Sequence, residues 1–314
     1  DMLFNLVAQC EQADYENDPR WSFRNYFDKP EKGSLTEKWQ KVRYTFLRLK
    51  DMYDDVYCYH YIGFLSYCLG SNQLKIIRNY LKYYQEKKHS EFKKKLKDDI
   101  KKNLVNKEHT SITEYNYYTS KKELRQLFLI HNIETILQRY EILKNNNQLQ
   151  LQQNFEQFPF ELLHKQSWDI EHIASNTDSD FRNEDDRKNW LNNIELDLRK
   201  EILDTDTEYK RLKQQYQRSK KKDDFDLLYK WIIQTYDSNS IKDCENVENG
   251  KMQIGNLTLL DSHTNRSYHN ALFPRKRRCI IVAEGLEDKD DPQDTKIPKL
   301  FIPICTRQVF TKAY

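Results

Sequence analysis

Apolar residues recur through the first half of the chain at intervals of three and four, the period that turns one face of a helix toward a core. Trp39, Val42, Phe46 and Leu49 follow Ser34-Leu35-Thr36-Glu37. That tetrapeptide is a capping box: the Ser34 hydroxyl accepts a backbone N–H while Glu37 reaches back to the cap. A helix is predicted from there. Ser120-Lys121-Lys122-Glu123 repeats the device ahead of Leu124, Leu127, Phe128, Ile133, Ile136, Leu137 and Tyr140, which predicts a second long amphipathic helix. No proline stands between Pro30 and Pro159, and glycine totals only 6, so helices are favoured over turn-rich sheets.

The pattern changes at residues 145–154, a polar stretch of Asn and Gln with no wide apolar stripe, where the domain boundary is placed. Beyond Phe158-Pro159-Phe160, the residues Trp168, Ile170 and Ile173 mix with polar ones as in a short strand. Residues 184–235 return to helical spacing, with Trp190, Ile194, Leu198 and Ile202 on one stripe and Leu227, Leu228, Trp231 and Ile232 on another. Met252 to Leu260 reads as a strand again, and Asp261 or Ser262 is placed to cap a helix that carries Asn265 and His269 one turn apart. The fold class is mainly α with a small α+β part: a helical domain over 1–150, then a domain over 151–314 with a helical insertion at about 184–252.

The 314 residues suffice for two domains of ordinary size, and 38% hydrophobic with 32% charged residues suits a folded chain with charged helix surfaces. Six cysteines, Cys10, Cys58, Cys68, Cys244, Cys279 and Cys305, include no C-x-x-C pair, so neither a zinc knuckle nor a disulfide framework is signalled. A cytoplasmic setting is expected. Val56 to Leu69 is too short to span a bilayer, which predicts a buried helix and no membrane partner. The opening Asp1-Met2-Leu3 has no methionine in first place, as expected of a fragment or of a processed chain.

A net charge of +3 does not by itself argue for nucleic acid, so its distribution matters more. Residues 74–107 hold twelve Lys or Arg against four acids, a pattern given equally by a phosphate-binding face and by a solvated helix surface. Arg275-Lys276-Arg277-Arg278 is the better candidate for phosphate contact, because it follows shortly after the candidate site.

The candidate chemistry lies in Trp168-Asp169-Ile170-Glu171-His172-Ile173 and Ile254-Gly255-Asn256-Leu257-Thr258-Leu259-Leu260, with Asn265 and His269 after them. Phosphodiester hydrolysis needs a base to activate water and a divalent cation to carry charge on the phosphate. A lone Glu-His pair means little, and a Gly-Asn-Leu-Thr-Leu-Leu run alone reads as a buried strand after a turn. Joined and in this order they are far more specific.

These two motifs, with Asn265-Arg266-Ser267, Phe273 and Lys276, resemble the HNH nucleases of the ββα-metal fold, specifically the C-terminal domain of the GmrSD-like (DUF262/DUF1524) restriction family. Pro303 to Thr306, Val309-Phe310, Lys312 and Tyr314 are similar to that family's closing segment, so the resemblance covers residues 155–314. A weaker likeness runs upstream through Trp39, Tyr59 to Gly63 and Leu127 to Ile133.

The resemblance implies an HNH DNA endonuclease in a restriction or anti-phage defence protein, with possible modification dependence, an upstream nucleotide-associated domain and a homo-oligomer as further expectations. It implies His172 as general base, Asn256 as the residue that orients the loop carrying it, and Glu171 with Asn265 as oxygen ligands of one Mg²⁺ or Mn²⁺. Asp169 and His269 enter as outer-sphere groups or further ligands, and Arg266, Arg275, Lys276, Arg277 and Arg278 as nucleic-acid contacts. Two departures stand out. Ile173-Ala174-Ser175 replaces the proline that many relatives carry after the catalytic His, and Asn265 stands where HNH proteins commonly have His, with His263 and His269 nearby. The competing class is an inactive nucleic-acid-binding or regulatory module that retains the fold, with RNA as an alternative substrate.

Overall fold

The computed structural model describes residues 2–8, 20–28, 33–70, 73–104, 111–146, 157–173, 181, 183–198, 203–237, 252–261, 272–283 and 301–311. These residues are mostly helical, with one small two-stranded sheet. The chain divides into two compact units, Asp1–Asn106 with Ile136–Phe158, and Lys107–Thr135 with Pro159–Tyr314. Residues 107–135 thus group with the C-terminal unit and residues 136–158 with the N-terminal one.

The first unit contains α1 (Met2–Ala8), α2 (Trp21–Phe27), α3 (Leu35–Asp54), α4 (Val56–Leu69), α5 (Gln73–Glu86) and α6 (His89–Leu104). The capping box forms as the sequence predicts: the Ser34 N–H donates to Glu37 Oε2 at 2.7 Å, and the Glu37 N–H donates to Ser34 Oγ at 3.3 Å. The buried face of α3 is another matter. Lys38, Val42, Thr45 and Met52 point inward, while Trp39 and Phe46 are exposed, so the predicted core stripe is rotated around the helix. Lys38 tolerates burial because its ammonium donates to the Phe27 carbonyl at 2.8 Å. Helix α4 buries Cys58, His60, Tyr61, Phe64 and Leu65. Among the described residues, no helix is long and apolar enough to cross a membrane.

A 25-residue helix, α7 (Lys121–Asn145), begins directly after Ser120 and contributes residues to both units. In the second unit follow α8 (Phe160–Lys165), β1 (Trp168–His172), α9 (Glu184–Asp197), α10 (Thr207–Ser219), α11 (Lys222–Ile232), β2 (Leu257–Asp261), α12 (Phe273–Ala283) and α13 (Ile304–Thr311). The insertion between the strands folds around its own core, including Trp190, Ile194, Tyr209, Leu212, Phe225 and Leu228. Leu227, predicted to be part of that core, is exposed. Local chemistry sets its helix ends. Asn183 caps α9 ahead of Glu184, Asp185 and Asp186, whose charges suit a helix N-terminus, and Asp206 accepts from the Glu208 and Tyr209 N–H groups at the start of α10.

Strands β1 and β2 pair antiparallel, with Trp168 opposite Asp261 and His172 opposite Leu257. A two-stranded ribbon alone is marginal in water. Here Ile173, Leu260, Cys279, Ile280, Ala283, Ile302 and Phe310 form a common core, drawn from β2, α12, α13 and the residues that follow β1 and precede α13. The α13 hydroxyl of Thr306 donates to the Leu259 carbonyl at 2.6 Å, and the Cys305 N–H donates to Asn132 Oδ1 on α7 at 2.9 Å. The predicted strand from Met252 is shorter than expected, because Ile254–Asn256 closes a 3₁₀ turn before β2 begins.

Candidate active site

Antiparallel pairing brings the two motifs, about eighty residues apart in sequence, into direct contact. His172 ends β1, and the next residue, Ile173, donates its N–H to the Asn256 carbonyl at 2.8 Å. Asn256 is buried in the 3₁₀ turn that leads into β2, its own N–H bonded to the Gln253 carbonyl at 3.0 Å. The base and the loop-orienting residue expected from sequence thus lie on adjoining backbone.

A third segment completes the wall. Asn116 bridges to Gln253, and the Tyr117 N–H donates to the Met252 carbonyl at 3.1 Å. This fastens Tyr117 beside the motif, where its ring centroid lies 4.6 Å from that of His172 at an interplanar angle of 51°. Contact of this kind restricts the imidazole's orientation while leaving it half-buried. Tyr117 was not among the residues picked out from sequence, and nothing in its local spacing marks it. Its place follows from pairing between residues more than 130 positions apart.

Glu171 immediately precedes His172 in β1. The Glu171 carboxylate meets α12. Lys276, only 2% exposed, donates to Glu171 Oε1 at 2.7 Å and to the His172 carbonyl at 2.6 Å. Lys276, expected from sequence among the cations facing DNA phosphate, is instead buried, because it shares an inward stripe with Leu272 and Ile280. Arg277 and Arg278 of the same basic run are half-buried, and the Arg275 backbone lies in α12 while its side chain falls outside the described residues.

Asp169 is occupied elsewhere. Its carboxylate accepts from Arg125 at 2.7 Å and faces Lys121 at 3.2 Å, both on α7, and it also accepts from the Ile170 N–H at 2.7 Å. Burial alone would raise its pKa, but Arg125, the Ile170 N–H and Lys121 together hold it below the ordinary carboxylate range. An Asp169 so fixed anchors β1 to α7. Its carboxylate contacts are with α7 and with its own strand, rather than the expected one with His172.

Asn265, Arg266 and His269, with the alternative His263, lie outside the described residues. Of the two expected oxygen ligands, Glu171 therefore carries the test of metal fit. A carboxylate is the hard donor that Mg²⁺ or Mn²⁺ prefers. With Lys276 on Oε1, it would meet a cation through a single oxygen. The donor chemistry fits a monodentate ligand.

The basic run over 74–107 is also partly engaged within its own unit. Lys95 pairs with Asp99, and the Lys93 ammonium lies 3.9 Å from the Tyr57 ring centroid. An open cleft of about 520 Å³ there is lined by Tyr57, Lys93, Lys97, Lys101 and Glu141 among others.

Comparison of the chain with protein-family models, with curated proteins and with solved structures finds no match.

Proposed function

We propose that the C-terminal unit is a metal-dependent HNH-type endonuclease that hydrolyses DNA phosphodiester bonds. The observation that carries this reading is the antiparallel register of β1 and β2, which sets His172 beside Asn256. The resemblance of the two motifs to GmrSD-like proteins supports a setting in restriction or anti-phage defence.

In this reading His172, as a neutral imidazole, accepts a proton from water as the water oxygen forms its bond to phosphorus and the bond to the departing 3′ oxygen breaks. Tyr117 holds the imidazole ring. Asn256 secures the loop that carries it, since a base misplaced by about 1 Å can lose about a hundredfold in rate. Glu171 and Asn265 would hold Mg²⁺ or Mn²⁺, which supplies charge stabilisation on the phosphate and the leaving oxygen when bound. Lys276 keeps the Glu171 carboxylate and the His172 carbonyl in fixed positions. Arg277 and Arg278 remain as candidates for phosphate contact.

One observation favours the inactive-module reading: a dication at Glu171 meets the positive charge of Lys276 at the same carboxylate. Incubating the chain with supercoiled plasmid and Mg²⁺ or Mn²⁺ separates the two. Metal-dependent nicking that is lost in His172→Ala supports the nuclease. Binding without nicking in wild type and variant alike, in the presence of any upstream partner domain, supports the module.

A further inference from the structure

Outside the nuclease motifs, three metal-binding side chains of different type converge in the N-terminal unit. Asp55 stands between α3 and α4 as the N-cap of α4, and its Oδ1 accepts from the Cys58 N–H at 2.8 Å. That hydrogen bond fixes the carboxylate one turn from the Cys58 thiol. His89 opens α6, which packs against α4, and directs Nε2 to within 3.2 Å of Asp55 Oδ2. A carboxylate oxygen, Cys58 Sγ and an imidazole nitrogen all lie within 4.8 Å of one another. Among the described residues this is the one such group of His, Cys, Asp and Glu.

We propose that Asp55, Cys58 and His89 form a site for a thiolate-accepting divalent ion of the zinc class, joining the start of α4 to the start of α6. Donors at about 2.0–2.3 Å from a tetrahedral zinc stand roughly 3.3–3.8 Å apart. The His89–Asp55 separation of 3.2 Å is close to that range, and the sulfur, within 4.8 Å of the other donors, closes on them by up to about 1 Å. The charges also balance. A carboxylate and a thiolate together neutralise a dication; burial and the neighbouring Asp55 carboxylate push the metal-free Cys58 thiol up, so it is the bound ion that displaces its proton. Cys58 is fully buried whereas the His89 side chain is 45% exposed, so the ion enters from the His89 side and water fills the fourth position there.

Lys93 is the competitor. Its ammonium lies 3.7 Å from Asp55 Oδ2, and an incoming cation displaces it. The same ammonium already sits over the Tyr57 ring at 3.9 Å, so it keeps a partner when Asp55 turns to the metal. Binding replaces the Cys58 thiol proton, which leaves to solvent. The site is distinct in kind from the proposed nuclease centre, whose oxygen donors suit Mg²⁺ or Mn²⁺.

The test is a Co²⁺ titration of metal-free protein followed by absorption spectroscopy, with Zn²⁺ as competitor. The expected result is a thiolate-to-cobalt charge-transfer band at one equivalent, displaced by Zn²⁺ and absent in Cys58→Ser. Because Cys58 is buried and its variant can lose structure, His89→Gln on the exposed helix start is the second variant. It is expected to keep its helical circular dichroism and to bind Co²⁺ at least about tenfold more weakly. Absence of the band in wild type overturns the proposal, as does a band that survives unchanged in Cys58→Ser or in folded His89→Gln. His172→Ala, which removes the proposed nuclease base, is expected to leave the spectrum unchanged, so the two readings stand or fall separately.

Discussion

Replacing Lys276 with methionine keeps most of its volume and removes its charge. In the native protein the ammonium is 2% exposed and touches a Glu171 carboxylate that is itself only 11% exposed. Breaking a buried pair from one side leaves the other charge uncompensated, which costs about 3–5 kcal/mol. The His172 carbonyl loses a donor in the same substitution, a smaller effect that does not simply add. Against a typical domain stability of about 5–15 kcal/mol, this is a large fraction. Urea unfolding followed by tryptophan fluorescence reads the loss through Trp168, Trp190 and Trp231 in the same unit. The decisive comparison is the double variant Glu171→Gln/Lys276→Met, in which no uncompensated charge remains; it is expected to recover at least about half of the lost stability. A single variant within about 0.5 kcal/mol of wild type would refute the reasoning, since that is the range of an ordinary surface substitution. So would a double variant no more stable than Lys276→Met alone.

Two further outcomes follow from titratable groups. His60 is buried, and because the Phe158 N–H can only donate to Nε2, its Nδ1–H must donate to the Val56 carbonyl, which makes it a neutral imidazole. Burial pushes its pKa from 6.5 down to about 4, so the unfolded chain takes up the proton first and stability falls as pH drops through that window. The expected loss is at most roughly 3 kcal/mol, and His60→Gln should flatten the slope; an identical pH profile for the two proteins would rule the assignment out. Asp169, net below its ordinary range through Arg125, the Ile170 N–H and Lys121 acting against burial, contributes stability that is present above the unfolded pKa and lost as pH falls through the folded one. Arg125→Met should shrink that acid-side loss and speed hydrogen exchange in β1, whereas unchanged exchange of the Ile170 amide would show that α7 does not anchor the strand.

How much of this was legible in the sequence depends on what each signal encodes. The strands could be read because Trp168 and Ile170 alternate with polar residues and because Leu257 to Leu260 is a short apolar run after a turn. The helix starts could be read because capping is local: Ser34 and Glu37 carry their own partners. Which face of α3 turns inward could not. Trp39 and Phe46 fit a helical period, yet Lys38 and Thr45 are the buried neighbours, since a periodic pattern marks faces without saying which one meets a partner. Tyr117, and the meeting of Asp55 and Cys58 with His89, arise from long-range packing that no local spacing announces.

Lys276 is the instructive middle case. Read as one of four consecutive basic residues it belongs to a phosphate-facing run; read at helical spacing it belongs to the stripe of Leu272, Ile280 and Ala283, every one of them buried. Four consecutive positions on a helix span about one full turn, so a basic run of that length on a helix packed against a core must turn one member toward that core. A lysine in that position is tolerable only beside an anion, and the motif already held a carboxylate, Glu171, on a strand expected to pack nearby. The burial of Lys276 was therefore deducible in principle from the stripe, and its partner from charge. That same pairing gives the two motifs a link through α12 in addition to their backbone register, so the Glu171–His172 end of β1 is held from both sides.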